Sequence, residues 1–345
     1  MSHPVRFGPR FALLAFAVLC FSIVAADGQE KQLKELQWSH AFDLACRKFG
    51  ETGFDKKTPR FGVETFRDNN SGVGLYISEK GTMAIAPNFA AVKPPLNPSK
   101  GPAHMTGLDL PARKAGEKDF KKDTKIHCME AFRDPNVDNW LFVTDQGYIA
   151  STDGTKFPGV TNKQPKWAHS VDLQVRKGGV KEWKDATKFG IEVYRDGNTG
   201  NLIYVTEHGH IAIIPETKEI TGAGKSPEWL HGLDLRCRKH DEKPFTKDTR
   251  KFGVEVYSDI HTGNLIFISE TGSIGVAPAP AGIAAPTAKT KEPVWTHGLN
   301  VKCRPFGKAE FDQAIPYGAE VFRDENVGVV LYINELGNIA VLSAP

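Results

Sequence analysis

Cysteine is scarce in this sequence, with five in 345 residues, and methionine scarcer, with four. A small disulfide-built scaffold is therefore excluded, because such chains carry cysteine far more densely. Charge of one sign is missing as well. There are 44 basic and 41 acidic residues, and removing Arg6 and Arg10 with the N-terminal segment discussed below leaves 42 against 41, a net of +1. A near-neutral chain lacks the basic surface that nucleic acid requires, and it gives an anionic membrane surface little to attract. After residue 26 no apolar run approaches the roughly 20 residues that span a bilayer, so no membrane insertion is expected of the rest of the chain. Nucleophile elbow, HExxH, phosphate loop and dinucleotide fingerprint are all absent.

The first 26 residues carry the pattern of a secretory signal. Arg6 and Arg10 precede an apolar stretch from Phe11 to Ala25, and Val24-Ala25-Ala26 forms a small-residue cleavage site before Asp27. The expected location is secreted or periplasmic. Residues 27–37 are polar, and 38–345 are read as a single repeat domain.

That domain holds five copies of one pattern: residues 38–87, 104–151, 167–215, 229–278 and 295–343. Trp38, His104, Trp167, Trp229 and Trp295 open them, in steps of 66, 63, 62 and 66. Nine residues on stand Arg47, Arg113, Arg176, Arg238 and Arg304. Glu64, Glu130, Glu192, Glu255 and Glu320 follow. A period of this size signals units that cannot bury a core alone. Inside each unit apolar residues alternate with period two, as in Phe252-Gly253-Val254-Glu255-Val256, and Asp/Asn/Gly turns separate the runs. Four strands per copy predict an all-β, five-bladed β-propeller. The first strand is expected innermost, and an open array of β-modules is the alternative.

Cys46, Cys237 and Cys303 each precede the repeat's Arg, where other copies have Ala112 and Val175, and Cys128 takes the slot of a glycine. Such positions suit free, buried thiols, since equivalent sites on successive copies stand too far apart for a disulfide.

The repeated Arg and Glu are read as a structural ion network, Arg47, Arg113, Arg176, Arg238 and Arg304 with Glu64, Glu130, Glu192, Glu255 and Glu320, paired within each blade. No catalytic residue is assigned, because every copy carries the same acids whereas acid/base chemistry needs two carboxylates in different environments. Trp38, Trp167, Trp229 and Trp295 are candidate ligand-binding platforms for sugar rings, weighed against a place in the core beside the His two residues on. Asp196 and Asn198 sit in an Asp-x-Asn-x-Gly turn that resembles a short calcium loop, so calcium is the one cofactor considered and a plain turn the competing reading. His127, Cys128, Trp140, His208 and His210 depart from the repeat. The functional expectation is a non-catalytic binding or scaffold protein for a glycan or a secreted protein. The alternatives are a glycan-cleaving propeller using inner-strand carboxylates such as Asp43, Asp109 and Asp172, and a purely structural surface protein.

Overall fold

A computed structural model describes residues 36–89, 100–155, 163–217, 220, 226–280 and 290–343. The signal-like segment lies outside the described residues, as does most of each Pro-rich connector. What is described falls within one compact unit, Lys34–Pro345.

Twenty strands form five four-stranded antiparallel sheets, each from consecutive strands. Blade 1 holds β1 (Leu36–Ala45), β2 (Arg60–Asp68), β3 (Gly74–Ser78) and β4 (Met83–Ala86). Blade 2 holds β5 (Ala103–Ala112), β6 (Lys125–Asp134), β7 (Asn139–Thr144) and β8 (Ile149–Asp153). Blade 3 holds β9 (Lys166–Val175), β10 (Thr187–Asp196), β11 (Asn201–Thr206) and β12 (Ile211–Pro215). Blade 4 holds β13 (Glu228–Arg236), β14 (Lys251–Asp259), β15 (Asn264–Ser269) and β16 (Ile274–Pro278). Blade 5 holds β17 (Val294–Cys303), β18 (Ile315–Asp324), β19 (Val329–Asn334) and β20 (Ile339–Ser343), with a 3-10 turn at Phe311–Gln313.

The arrangement is a closed five-bladed propeller. The fourth strands adjoin in a circle, β4 with β8, β8 with β12, β12 with β16, β16 with β20, and β20 with β4. This corrects two expectations. The array is not open, and the fourth strand of each blade is innermost, so the chain runs from the outer edge inwards. Gly275 allows the close approach at the centre, since a Cβ there would meet the Val341 side chain at 2.4 Å.

The core lies between blades. Five apolar clusters form, one at each junction. At the 1–2 junction, Phe42, Leu44 and Val63 of blade 1 pack with Leu141 and Val143 of blade 2. No blade encloses a core by itself, which is why the unit must be repeated. Turn chemistry holds the tips. Asp68 Oδ1 accepts from the Asn70 backbone N–H at 2.9 Å and Oδ2 from the Ser71 hydroxyl at 2.7 Å, an Asx turn.

One irregularity decides how each blade meets its neighbours. Trp38 pairs with Phe66 but His40 pairs with Thr65, so Ser39 is an extra residue, and the same shift recurs in all five blades. A bulge of one residue moves following side chains to the opposite face. Trp38 therefore shares a face with Glu64 and Phe66, towards the preceding blade, while His40 shares one with Phe42 and Leu44, towards the next. The expectation that Trp and His share one face of the strand is corrected on this ground.

Candidate functional site

Each junction is built from the same charged parts, and they pair between blades. Arg113 of blade 2 donates through Nε to Glu192 Oε1 of blade 3 at 2.6 Å and through Nη2 to Oε2 at 2.9 Å. Arg176 meets Glu255, Arg238 meets Glu320 and Arg304 meets Glu64 in the same two-pronged way, and Arg47 reaches Glu130 through Nε at 2.5 Å. The within-blade pairing expected from sequence is thus replaced by a belt around the ring. The cause is the Arg's place just beyond the end of the first strand, from which its side chain crosses to the neighbouring sheet. Its hydrogen bonds to Glu192 hold the Arg113 guanidinium above its ordinary pKa, against burial.

Each Glu has a second donor from its own blade. The indole N–H of Trp38, Trp167, Trp229 and Trp295 donates to Glu64, Glu192, Glu255 and Glu320 at 2.6 to 2.8 Å. In blade 2 His104 Nε2 lies 2.7 Å from Glu130. Buried His–Asp contacts add a second ring: His40 with Asp134, His169 with Asp259, His231 with Asp324 and His297 with Asp68, at 2.6 to 3.0 Å. Blade 2 has Thr106 in the His slot. Asp196 of blade 3 keeps the turn bonds common to this position, accepting from the Asn198 backbone and side chain and from the Thr199 hydroxyl. The residues considered for calcium, Asp196 and Asn198, are both buried and engaged with the turn itself.

The remaining acids bind the loops of the preceding blade. Asp43, Asp172 and Asp234 accept the backbone N–H of Gly307, Gly116 and Gly179. Glu79, Glu207, Glu270 and Glu335 accept those of Phe306, Ala115, Gly178 and His240. Asp43, Asp109 and Asp172, the carboxylates of the cleavage alternative, lie on the outermost strands, because the order of strands is the reverse of the expected one.

Blade 2 departs most from its neighbours. Cys128 occupies the slot of Gly62, Gly190, Gly253 and Gly318, and its thiol lies 3.2 Å from Asp109. Asp145, one methylene shorter than the Glu of the other blades, keeps a buried Oδ1 without a partner. His127 lies against Gly209, and the rings of His210 and Tyr148 stack with centroids 3.9 Å apart. Among the described residues no three ligating side chains converge to hold a metal ion. The four cysteines among the described residues are free and buried, and burial pushes their thiols well above the usual range.

The exposed part of every junction is aromatic. Trp167, Trp229 and Trp295 keep 49%, 36% and 41% of their surface, although their indole N–H groups are anchored inside. Each meets an aromatic from the preceding blade edge-on, Trp167 with Phe120, Trp229 with Trp183 and Trp295 with Phe245, as Trp38 does with Phe311. The junction Arg lies over both rings. Sequence reading marked the Trp side chains but not these partners as a platform, because the partners sit in irregular loops of another copy. A groove of about 350 Å³ opens where Trp38 and Phe311 meet.

No protein family matches the chain, and neither does any curated protein. Among solved structures, virginiamycin B lyase from Staphylococcus aureus is similar at 12% identity over 90% of this chain and 75% of that one, with a TM-score of 0.12. A catalytically inactive variant of that enzyme, solved with quinupristin, gives 13% identity over 89% and 75%, with a TM-score of 0.13. Superpositions this loose carry no argument about the site, and the fold stands on its five sheets.

Proposed function

We propose that this protein is a non-catalytic, multivalent binding scaffold that recognises glycan chains at its blade junctions. The observation that carries the reading is the Trp set: rings at equivalent places, exposed at Trp167, Trp229 and Trp295 and partly buried at Trp38, each fixed by an indole N–H bond to a buried carboxylate. A rigid aromatic face is what a sugar ring stacks on, and ordering it costs little on binding. The repeated acids support binding over chemistry, since most are occupied by Arg, indole or backbone N–H donors. The signal-like N-terminus supports a role for such a scaffold outside the cytoplasm.

Titration of the mature protein with polymeric glycans and their monomers tests this. Linked weak sites gain avidity, so a polymer is expected to bind at least about 100-fold more tightly than its monomer. Released sugar in the same mixtures, abolished by Asp109→Asn, would replace this reading with cleavage. Failure of every glycan to bind would remove it.

A further inference from the structure

Four of the five junctions latch the loop that follows the junction Arg onto two acceptors of the next blade. At the 5–1 junction Glu79 and Asp43 accept the backbone N–H groups of Phe306 and Gly307, and at the 4–5 junction Glu335 and Asn300 accept those of His240 and Asp241. The 2–3 and 3–4 junctions do the same with Glu207 and Asp172, and with Glu270 and Asp234. The 1–2 junction has lost both contacts. Among the described residues no carboxylate accepts the N–H of Phe49 or Gly50: Asp145 is a methylene too short, and Asp109 accepts the Cys128 thiol instead, at 3.2 Å. Cys128 is the wedge. A Cβ added at Gly62 or Gly318, in the same slot, would lie 2.2 or 2.3 Å from the carbonyl oxygen of Arg304 or Arg238, so a side chain there makes the loop stand off. Phe49 in that loop is 57% exposed, more than any other large apolar side chain among the described residues.

The same junction is the one place where two thiols meet. The residue before each junction Arg stands opposite the Cys128 slot of the next blade, and the pairs are Cys46–Cys128, Ala112–Gly190, Val175–Gly253, Cys237–Gly318 and Cys303–Gly62. The Cys46 thiol donates to the Cys128 carbonyl at 3.5 Å, and both side chains belong to one apolar cluster. The Cys46 sulfur also lies 3.5 Å from the Arg47 carbonyl oxygen, the peptide at which a side chain in the Cys128 slot points.

We infer that Cys46 and Cys128 are a cross-linking pair, and that a disulfide between them fastens the one junction that lacks its latches. Both thiols are free in this structure. A small disulfide such as oxidised glutathione, of the kind an oxidising compartment holds, is the oxidant. The Cys128 thiolate attacks one of its sulfurs and expels a first small thiolate. Cys46 then attacks the Cys128 sulfur and expels the second, and the two small thiolates take up the two protons that the cysteines gave up. Burial keeps both thiols protonated, so the exchange waits on opening of the loop, which the missing latches permit. The bond joins blade 1 to blade 2 and closes a span of 82 residues, which restrains the unfolded chain.

The test uses the mature protein, folded with reduced or with oxidised glutathione, then alkylated, digested and read by mass spectrometry. A linked peptide of Cys46 and Cys128 is expected only with the oxidant, with Cys237 and Cys303 alkylated in both samples. Amide exchange gives a second readout. In the reduced protein residues 48–52 should exchange at least about tenfold faster than 114–118, 177–181, 239–243 and 305–309, and oxidation should remove the difference. Cys128→Ser keeps the wedge without the bond, so its loop should stay fast under both conditions. Denaturant midpoints of the parent and of Cys128→Ser should coincide in reductant and separate after oxidation. Four alkylated cysteines after oxidation, glutathione retained on Cys128, or a link to Cys237 or Cys303 would overturn the inference. So would a loop 48–52 that exchanges as slowly as its counterparts in the reduced protein.

Discussion

Arg238 and Glu320 show what holds the ring at the level of single residues. The Glu320 side chain is 2% exposed, and its oxygens serve Arg238 from blade 4 and Trp295 from its own blade. Removing one member strands a buried charge, which costs about 3–5 kcal/mol. Thermal melts of Arg238→Ala, Glu320→Gln and the double variant are expected to show strongly non-additive losses, whereas Arg238→Ala with Glu255→Gln should add. The carboxylates and histidines also set the acid limit. Burial raises the Asp68 pKa, but the hydrogen bond and charge of His297 outweigh it and bring it down to about 2. Its contribution is full above the unfolded value near 3.9 and is lost as pH falls towards 2. Burial, with the charge of Lys125, lowers His127 to about 4. Because the unfolded imidazole takes its proton near pH 6.5, stability drains away between about pH 6.5 and 4. His127→Phe, which restores the aromatic of the other blades, should flatten that part of a plot of melting temperature against pH. The residue types of this network were legible in the sequence from their constant spacing. Their partners were not, because the same spacing fits a pair inside one blade or across two.

The strands themselves could be read from the period of two and the turn residues, and the chain forms four per copy. Two properties of the elements could not. Trp-x-His looks like unbroken alternation, and only the paired strand reveals the extra residue that turns the Trp outwards. The order from rim to centre was also hidden, since third and fourth strands are both apolar and the pattern has no sense of direction. Glycine in the second strand gives the element-scale prediction. At Gly253 an added Cβ would lie 2.0 Å from the Arg176 carbonyl oxygen, a backbone atom that cannot rotate away. Gly253→Ala is expected to lower stability by about 1–3 kcal/mol through overpacking. Cys128→Ala, in the slot where blade 2 already accommodates a side chain, should change it by far less. Denaturant midpoints of the two variants check the contrast.

For the molecule as a whole, five junctions of one design share the load, and blade 2, with His104, Thr106, His127, Cys128 and Asp145, is where the sequence copies diverge most without losing the clamp. Which side chains meet around the ring could not be read from the chain. Trp38, Asn300 and His240, which line one groove, come from three blades, and Asn300 lies 262 residues after Trp38. Closure depends on Arg304 with Glu64, a contact of the kind found at the other four junctions, and on His297 with Asp68, of the kind found at three of them.

The belt has a direction, because every blade extends its Arg to the blade that follows and offers its Glu to the one before. Any incomplete set of blades must therefore end in one unanswered cation and one unanswered anion, on complementary faces. Such a fragment has a head and a tail, and head-to-tail contacts either close or propagate. A chain cut after blade 4 exposes the Arg238 end and the Glu64 end together. Light scattering should find it as concentration-dependent oligomers, dispersed by Arg238→Glu, while the five-bladed chain stays at one mass. Number of blades, in this architecture, is what separates a finite particle from a polymer.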